Sequence, residues 1–298
     1  MKELFSATAI KTGKGVRITE SRLSILNSSL KNINRQYYGE FLCCVYQPKR
    51  TANGKKLLVA IVTGGSRGIG LAIVHALIAQ RYQVIIADLI PPASGIFCSE
   101  TEPLPRFVSC DISDSEQVQL LVKSVLIEFD AVHVLVNNAG IVSQGNFTDI
   151  SNSEWQRVFS INVEGPFMLS KAVLSSMQRQ QYGRIINISS VAAQTGGGFL
   201  GNSCYGASKG AILSMTKGIA REYGKDGITC NAICPGFVET QLTSELSVDF
   251  YTASVKAIPA ARPANPDEIA RAVCFLASPD SAYLNGVTLN VDGGLIRY

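Results

Sequence analysis

Histidine is almost missing from this chain: His75 and His133 are the only two in 298 residues. An imidazole-based metal centre, or a hydrolase whose serine is activated by a histidine, therefore has little to work with, and no metal site is expected. Charge is also sparse. Asp, Glu, Lys and Arg make up 17% of the residues and apolar residues 46%, a balance that supplies a large core and excludes global disorder. No apolar run approaches the roughly 18 residues of a membrane-spanning helix, so no membrane partner is expected. The eight cysteines include no CxxC spacing; Cys43 and Cys44 are adjacent, and Cys230 and Cys234 share a strand-like stretch. This pattern reads as reduced thiols in a cytoplasmic compartment.

The excess of basic residues is local. Residues 1–56 hold eleven Lys/Arg against three Glu, whereas the remainder holds sixteen basic against twenty acidic residues. The mildly acidic body does not read as a nucleic-acid binder. Residues 1–54 form a basic N-terminal extension without a sustained apolar period, and residues 55–298 form the folded domain. The extension reads as a flexible appendage, as an organellar transit peptide (a reading that Glu3 and Glu20 weaken), or as sequence upstream of the functional start.

From Leu57 the pattern changes to buried strands alternating with helices. Strands are expected at 57–64, 82–89, 107–111, 132–140, 184–189, 228–236 and 286–294. Helices are expected at 69–79, 114–129, 153–180, 204–223 and 266–277, with Asp114 and Ser115 as a start signal. Residues 90–105, with PPASG and PLP, read as loop. Such alternation means parallel βαβ units: an α/β fold, a three-layer Rossmann-type sandwich around a doubly wound, seven-stranded, mostly parallel sheet.

The first strand runs into Gly64, Gly65, Ser66, Arg67, Gly68, Ile69 and Gly70. Glycines there let the backbone turn sharply and approach a pyrophosphate at the N-terminus of the next helix. The stretch also matches the GxSxG elbow of hydrolases, but no histidine lies beyond residue 133 to serve as base. Asp88 ends the second strand, where a carboxylate can accept hydrogen bonds from ribose hydroxyls and repel a 2′-phosphate. It favours NAD(H), while Arg67 keeps NADP(H) as the alternative. Tyr205 and Lys209 share one face of a predicted helix. An ammonium beside a phenol favours the phenolate, so Tyr205 can serve as general acid or base; a plain surface helix is the competing reading of that pair.

GGSRGIG, NNAG at 137–140, Ser190 in NISS, YGASK at 205–209 and PG at 235–236 together resemble the classical short-chain dehydrogenase/reductases over residues 55–298. The resemblance implies that Ser190 polarises a substrate carbonyl and that Asn162, in SINVEG, holds a water joining Lys209 to a proton relay. It implies that Asp111 and Ile112 flank adenine, that Asn138, Ala139 and Gly140 line the cofactor cleft, and that Val238 and Thr240 contact the nicotinamide carboxamide. It further implies a homotetramer acting on a small-molecule carbonyl or alcohol. Within the family, the C-terminal third is most similar to 3-oxoacyl carrier-protein reductases. Asp88, Gln181, Asp226 and the long glycine-rich stretch 194–204 depart from that group. They favour an NAD-linked dehydrogenase of a small secondary alcohol or ketone, such as a polyol, sugar or hydroxy acid. A 3-oxoacyl thioester reductase is the alternative, and a non-catalytic nucleotide-binding sensor is the reading from another class.

The extension carries one apolar cluster, Phe41 to Tyr46, and little else to bury, and exposed ion pairs to an acidic body contribute only about 0–1 kcal/mol each. Removing residues 1–53 is expected to leave kcat/KM within tenfold and to lower Tm by less than about 4 °C, equivalent to roughly 1–2 kcal/mol for a domain this large. Thermal melts and steady-state rates of the full-length and shortened chains check this.

Overall fold

The computed structural model describes residues 57–97 and 103–297; the expectations for residues 1–54 lie outside the described residues. Seven strands make one sheet: β1 (Val59–Thr63), β2 (Gln83–Asp88), β3 (Arg106–Ser109), β4 (Val134–Asn137), β5 (Gly183–Ile188), β6 (Ile228–Pro235) and β7 (Thr288–Val291). Their order is β3-β2-β1-β4-β5-β6-β7. Every pairing is parallel, so the expectation of a mostly parallel sheet becomes an entirely parallel one. β1, β4, β5 and β6 are buried along their whole lengths, as strands covered on both faces must be. The edge strands β3 and β7 are only half-buried.

The helices are α1 (Gly68–Ala79), α2 (Ser115–Phe129), α3 (Asn152–Phe159), α4 (Gly165–Gln180), α5 (Ala192–Thr195), α6 (Ser203–Tyr223), α7 (Gln241–Ser244), α8 (Val248–Ala257) and α9 (Pro266–Ala277). α1 packs against α9 and α2 against α4. Ile73, Val74 and Leu77 of α1 join Ile269, Val273 and Leu276 of α9 in one apolar cluster over the sheet. The helix starts obey local chemistry. Asp114 accepts from the amides of Glu116 and Gln117 at the head of α2, and Asn265 and Glu268 form a reciprocal capping box before Pro266.

The helix expected at 153–180 is not continuous. A π-helical turn, Ser160–Glu164, separates α3 from α4. The extra residue in that turn shifts the helical phase of α4 relative to α3 and turns Asn162 into the interior, where it is 1% exposed. Apolar periodicity does not reveal such a turn, because the residues on either side keep a helical pattern.

One buried charge ties the far end of the sheet together. The Arg184 guanidinium, on β5, donates to the main-chain oxygens of Gly183, Gly227, Ser278 and Pro279 and lies 4.3 Å from the centre of the Tyr182 ring. The hydroxyls of Tyr82 and Tyr182 both donate to Ala277 O. A cation and two hydroxyls therefore satisfy the carbonyls at the negative end of α9. Arg184→Met removes the donor to the Ser278 and Pro279 carbonyls, while Ala277 O keeps the two hydroxyls, and is expected to lower stability by about 1–3 kcal/mol. It reads out as a lower urea midpoint with kcat/KM unchanged, since the catalytic candidates lie beyond the opposite ends of the strands.

Candidate active site

The sheet reverses its winding between β1 and β4, and at such a switch point the carboxyl ends of the strands leave a crevice. The turn after β1 enters it. Gly64 and Gly68 take positive φ values of 62° and 55°. A Cβ on Gly70 would stand 2.0 Å from the Gly64 carbonyl oxygen, so only glycine lets the start of α1 fold back on the turn. Arg67, exposed and extended, occupies the N-cap of α1 without a side-chain bond to the first turn, and that turn carries no acidic residue. The first amides of a helix have no acceptor within it and can donate to an anion, which fits the pyrophosphate of a dinucleotide.

Opposite the turn, the segment after β4 is locked to the end of β1. The Asn138 side-chain amide donates to Thr63 O at 2.9 Å and Gly64 O at 3.0 Å. The Thr63 hydroxyl in turn accepts from the main-chain amides of Asn138 and Ala139, both at 3.0 Å. A Cβ on Gly140 would meet Asn162 Oδ1 at 3.1 Å and Lys209 Nζ at 3.2 Å, so both polar groups crowd onto this glycine. The Asn162 side chain pairs with Ile141 in both directions and donates to Ser208 Oγ at 3.0 Å. Its side chain is thus occupied in holding the segment behind the cleft, and the water expected of this residue would fall to its main-chain carbonyl.

Tyr205 and Lys209 lie in the first two turns of α6, whose N-terminus is capped by Asn202 accepting from the amides of Cys204 and Tyr205. Lys209 is 4% exposed; its ammonium donates to Ile188 O at 2.9 Å and stands 5.8 Å from the centre of the Tyr205 ring. Burial pushes that ammonium down to about 8. Burial also raises the Tyr205 phenol above its ordinary value, while its hydrogen bond with Ser190 pulls the other way. No lowering from Lys209 accompanies these effects, so the direction is set by desolvation and runs against the lowering expected from the sequence.

These groups surround one cleft of about 190 Å³, lined among others by Ile69, Asn138, Gly140, Ser190, Val238 and Thr240 together with Tyr205 and Lys209. Thr240 caps α7, and Val238 bridges to Ala264. Ten expected residues do not line this cleft: Gly64, Ser66, Arg67, Gly68 and Gly70 of the glycine turn, Ala139 and Asn162 behind it, and Asp88, Asp111 and Ile112. Asp88, at the end of β2, accepts from Ser66 N at 3.0 Å and Leu89 N at 2.7 Å, so its carboxylate is fixed beside the glycine turn. Asp111 accepts from the amide and hydroxyl of Ser113. Ile112 is buried against Gly165.

The comparisons with known proteins agree with this geometry. Residues 64–296 match the family model described as enoyl-(acyl carrier protein) reductase. The 3-oxoacyl-[acyl-carrier-protein] reductase of Vibrio cholerae is 38% identical over 237 residues, 80% of this chain and 96% of the relative. That of Escherichia coli is 36% identical over the same shares. The 3-alpha-(or 20-beta)-hydroxysteroid dehydrogenase of Mycobacterium bovis is 35% identical over 240 residues, 80% of this chain and 89% of the relative. The chain belongs to the short-chain dehydrogenase/reductase family. As a short-chain dehydrogenase/reductase it is an oxidoreductase of CH–OH and carbonyl groups that uses NAD(P)(H).

Sequence reasoning missed several parts of this short-chain dehydrogenase/reductase site. Thr63 and Ser208 were not singled out, although both bond to residues that were. The apolar lining from Val142, Val191, Phe199, Leu200 and Phe237 was also missed. The stretch 241–262 holds α7 and α8. The unusual length of 194–204 was the available signal for Phe199 and Leu200.

Proposed function

We propose that the protein reduces a ketone to a secondary alcohol with NADH, using Tyr205 as general acid. The observation that carries this is the cluster of three: the half-buried Tyr205 phenol, bonded to Ser190 and raised above its usual ionisation range by desolvation, beside the buried Lys209 ammonium. A phenol that stays protonated at neutral pH is suited to giving a proton to a carbonyl oxygen. A nicotinamide dinucleotide brings to such a cleft hydride transfer to or from the carbon that carries the oxygen. Ser190 and Tyr205 would hold that oxygen, and the proton passes from Tyr205 Oη to it. Lys209 stabilises the phenolate left behind until the phenol regains a proton from solvent. The first amides of α1 and the segment Asn138, Ala139 and Gly140 would hold the dinucleotide. Asp111, Ile112, Val238 and Thr240 would contact its adenine and nicotinamide ends.

The preference for NADH rests on Asp88. Two main-chain amides fix its carboxylate next to the turn, where it can accept from ribose hydroxyls and repel a 2′-phosphate. A 3-oxoacyl thioester is the second reading of the substrate, favoured by the carrier-protein reductases among the relatives. A cytoplasmic location is supported by the buried, free thiols of Cys110, Cys204, Cys230, Cys234 and Cys274. Among the described residues, no helix is long and apolar enough to cross a membrane.

Steady-state rates with NADH and NADPH, on ketones and on acetoacetyl thioesters, test this reading. A higher kcat/KM is expected with NADH; a higher value with NADPH would transfer the role of Asp88 to Arg67. Tyr205→Phe is expected to lower kcat by at least about 100-fold, the lower range for a positioned proton donor, with cofactor affinity kept. Lys209→Met should reduce both. Near-normal turnover in Tyr205→Phe would remove the tyrosine from the chemistry.

A homotetramer is part of the same proposal. Trp155 and Phe167, around the π turn, and Phe275 and Tyr283, near the sheet edge, are exposed large apolar side chains, of the kind that closed symmetric assemblies cover. Light scattering at micromolar concentration is expected to give four times the chain mass; a monomer would refute it.

A further inference from the structure

Beyond the reaction itself, the cleft discriminates between kinds of ketone. We propose that the substrate carries an apolar substituent on its carbonyl, an alkyl chain or an aryl ring, and that Phe199 is the residue that selects it. The inference rests on the carbonyl-reductase reading above.

The position of Phe199 is set by the chain around it. It lies in the segment between Ser190 and Tyr205, and that segment is tied down at both ends. Gly198 N donates to Gly201 O at 2.9 Å, and Asn202 N donates to Ser143 O at 2.9 Å. The Asn202 side chain adds a bond to Ser143 Oγ at 2.9 Å. A Cβ on Gly201 would stand 2.2 Å from Cδ1 of Tyr205. The loop therefore passes directly over the proposed proton donor and sets Phe199 and Leu200 beside the place of reaction.

Phe199 is also part of a wall. Its ring meets Phe237 edge-on with centroids 5.6 Å apart, and Phe237 meets Tyr251 of α8 in the same way at 5.5 Å. Edge-to-face contacts at this spacing are favourable and directional. They join three separate segments: the loop before α6, the turn after β6, and α8. Phe237 is buried at the centre, while Phe199 and Tyr251 are half-buried. Val142, Val191 and Leu200 extend the apolar lining.

Many side-chain donors of the lining are already engaged. The Asn138 side chain is spent on Thr63 and Gly64, and the Ser189 hydroxyl donates to Lys209 O. Thr243 Oγ1 bonds to Val238 and Thr240, and Lys209 Nζ donates to Ile188 O. Ser190 and Tyr205 remain to receive one oxygen. A ketose or polyol brings several hydroxyls, and each one buried here without a partner is penalised. An alkyl or aryl group meets only carbon.

The test uses the full chain with its preferred cofactor and two matched series: alkyl and aryl ketones of increasing size, and ketoses of equal carbon number. The apolar series is expected to exceed the ketoses by at least about 100-fold in kcat/KM, the scale of penalty for hydroxyls left unpaired. Phe199→Ala is expected to cost about tenfold or more on the larger ketones, mainly through KM, within the range for lost apolar contact. The smallest ketone and cofactor affinity should be unaffected, and Phe199→Leu should recover most of the loss. Calorimetric binding of an aryl ketone to the cofactor-loaded protein reads the wall separately from turnover. Ketoses turned over as well as apolar ketones would overturn the inference and leave the reductase reading standing. An equal loss in Phe199→Ala on every ketone would also overturn it, reducing Phe199 to a support for Tyr205. Tight aryl-ketone binding weakened in Phe199→Ala, with no ketone reduced by either cofactor, would uphold the wall and overturn the reductase reading.

Discussion

An ammonium ion is buried at the centre of this protein, and the surrounding architecture has to make that tolerable. Lys209 reaches from α6 past the end of β5 and finds one main-chain carbonyl acceptor there. Its main-chain oxygen is held by Ser189 from the same strand end. Removing a charge from water is costly unless it is paired, and here the cost shows as an ionisation pulled down to about 8. The cation therefore requires the strand, the helix and the segment at Gly140 to meet at close range. A shift in any of them would leave the charge unsolvated and unpaired.

That meeting depends in turn on the lock between β1 and β4. Four hydrogen bonds between Thr63–Gly64 and Asn138–Ala139 fasten the segment after β4 to the turn after β1. The same amide that grips Gly64 also sits where a side chain on Gly70 would go. The phosphate-facing turn and the segment carrying Gly140 are thus one rigid unit. Behind them the π turn delivers Asn162, whose side chain ties Ile141 to Ser208 and so to the helix that carries both Tyr205 and Lys209. Preorganisation of this kind lets a donor and a cation act without rearranging when charge develops.

Much of this was legible in the sequence because it is written in local chemistry. Buried strands are continuous apolar runs, Asp114 announces a helix, and glycine spacing marks a turn that must approach a phosphate. Tyr205 and Lys209 emerge from helical spacing and Gly64 from the turn after its strand, whereas Asn138 and Ser190 come from the family resemblance. The features that were not legible depend on partners distant in sequence. The π turn at Ser160–Glu164 is stabilised by what Asn162 touches, 21 residues before it at Ile141 and 46 residues after it at Ser208. The rise of the Tyr205 ionisation needs the burial that the whole cleft provides. The wall of Phe199, Phe237 and Tyr251 joins segments with no shared pattern, so nothing in any of them announces the other two.

The apolar wall and the buried charges depend on one another. The loop that carries Phe199 also lays Gly201 against the Tyr205 ring, so one segment both presents the carbon surface that meets a substituent and helps to bury the phenol. Desolvation raises the Tyr205 phenol and lowers the Lys209 ammonium to about 8. A substrate that fills the wall extends that desolvation, and electrostatic interactions inside strengthen as water leaves. A polar substrate that brought water with it would loosen the same interactions on which proton transfer relies. Selection for carbon and readiness of the proton donor thus arise from one placement of the chain between Ser190 and Tyr205.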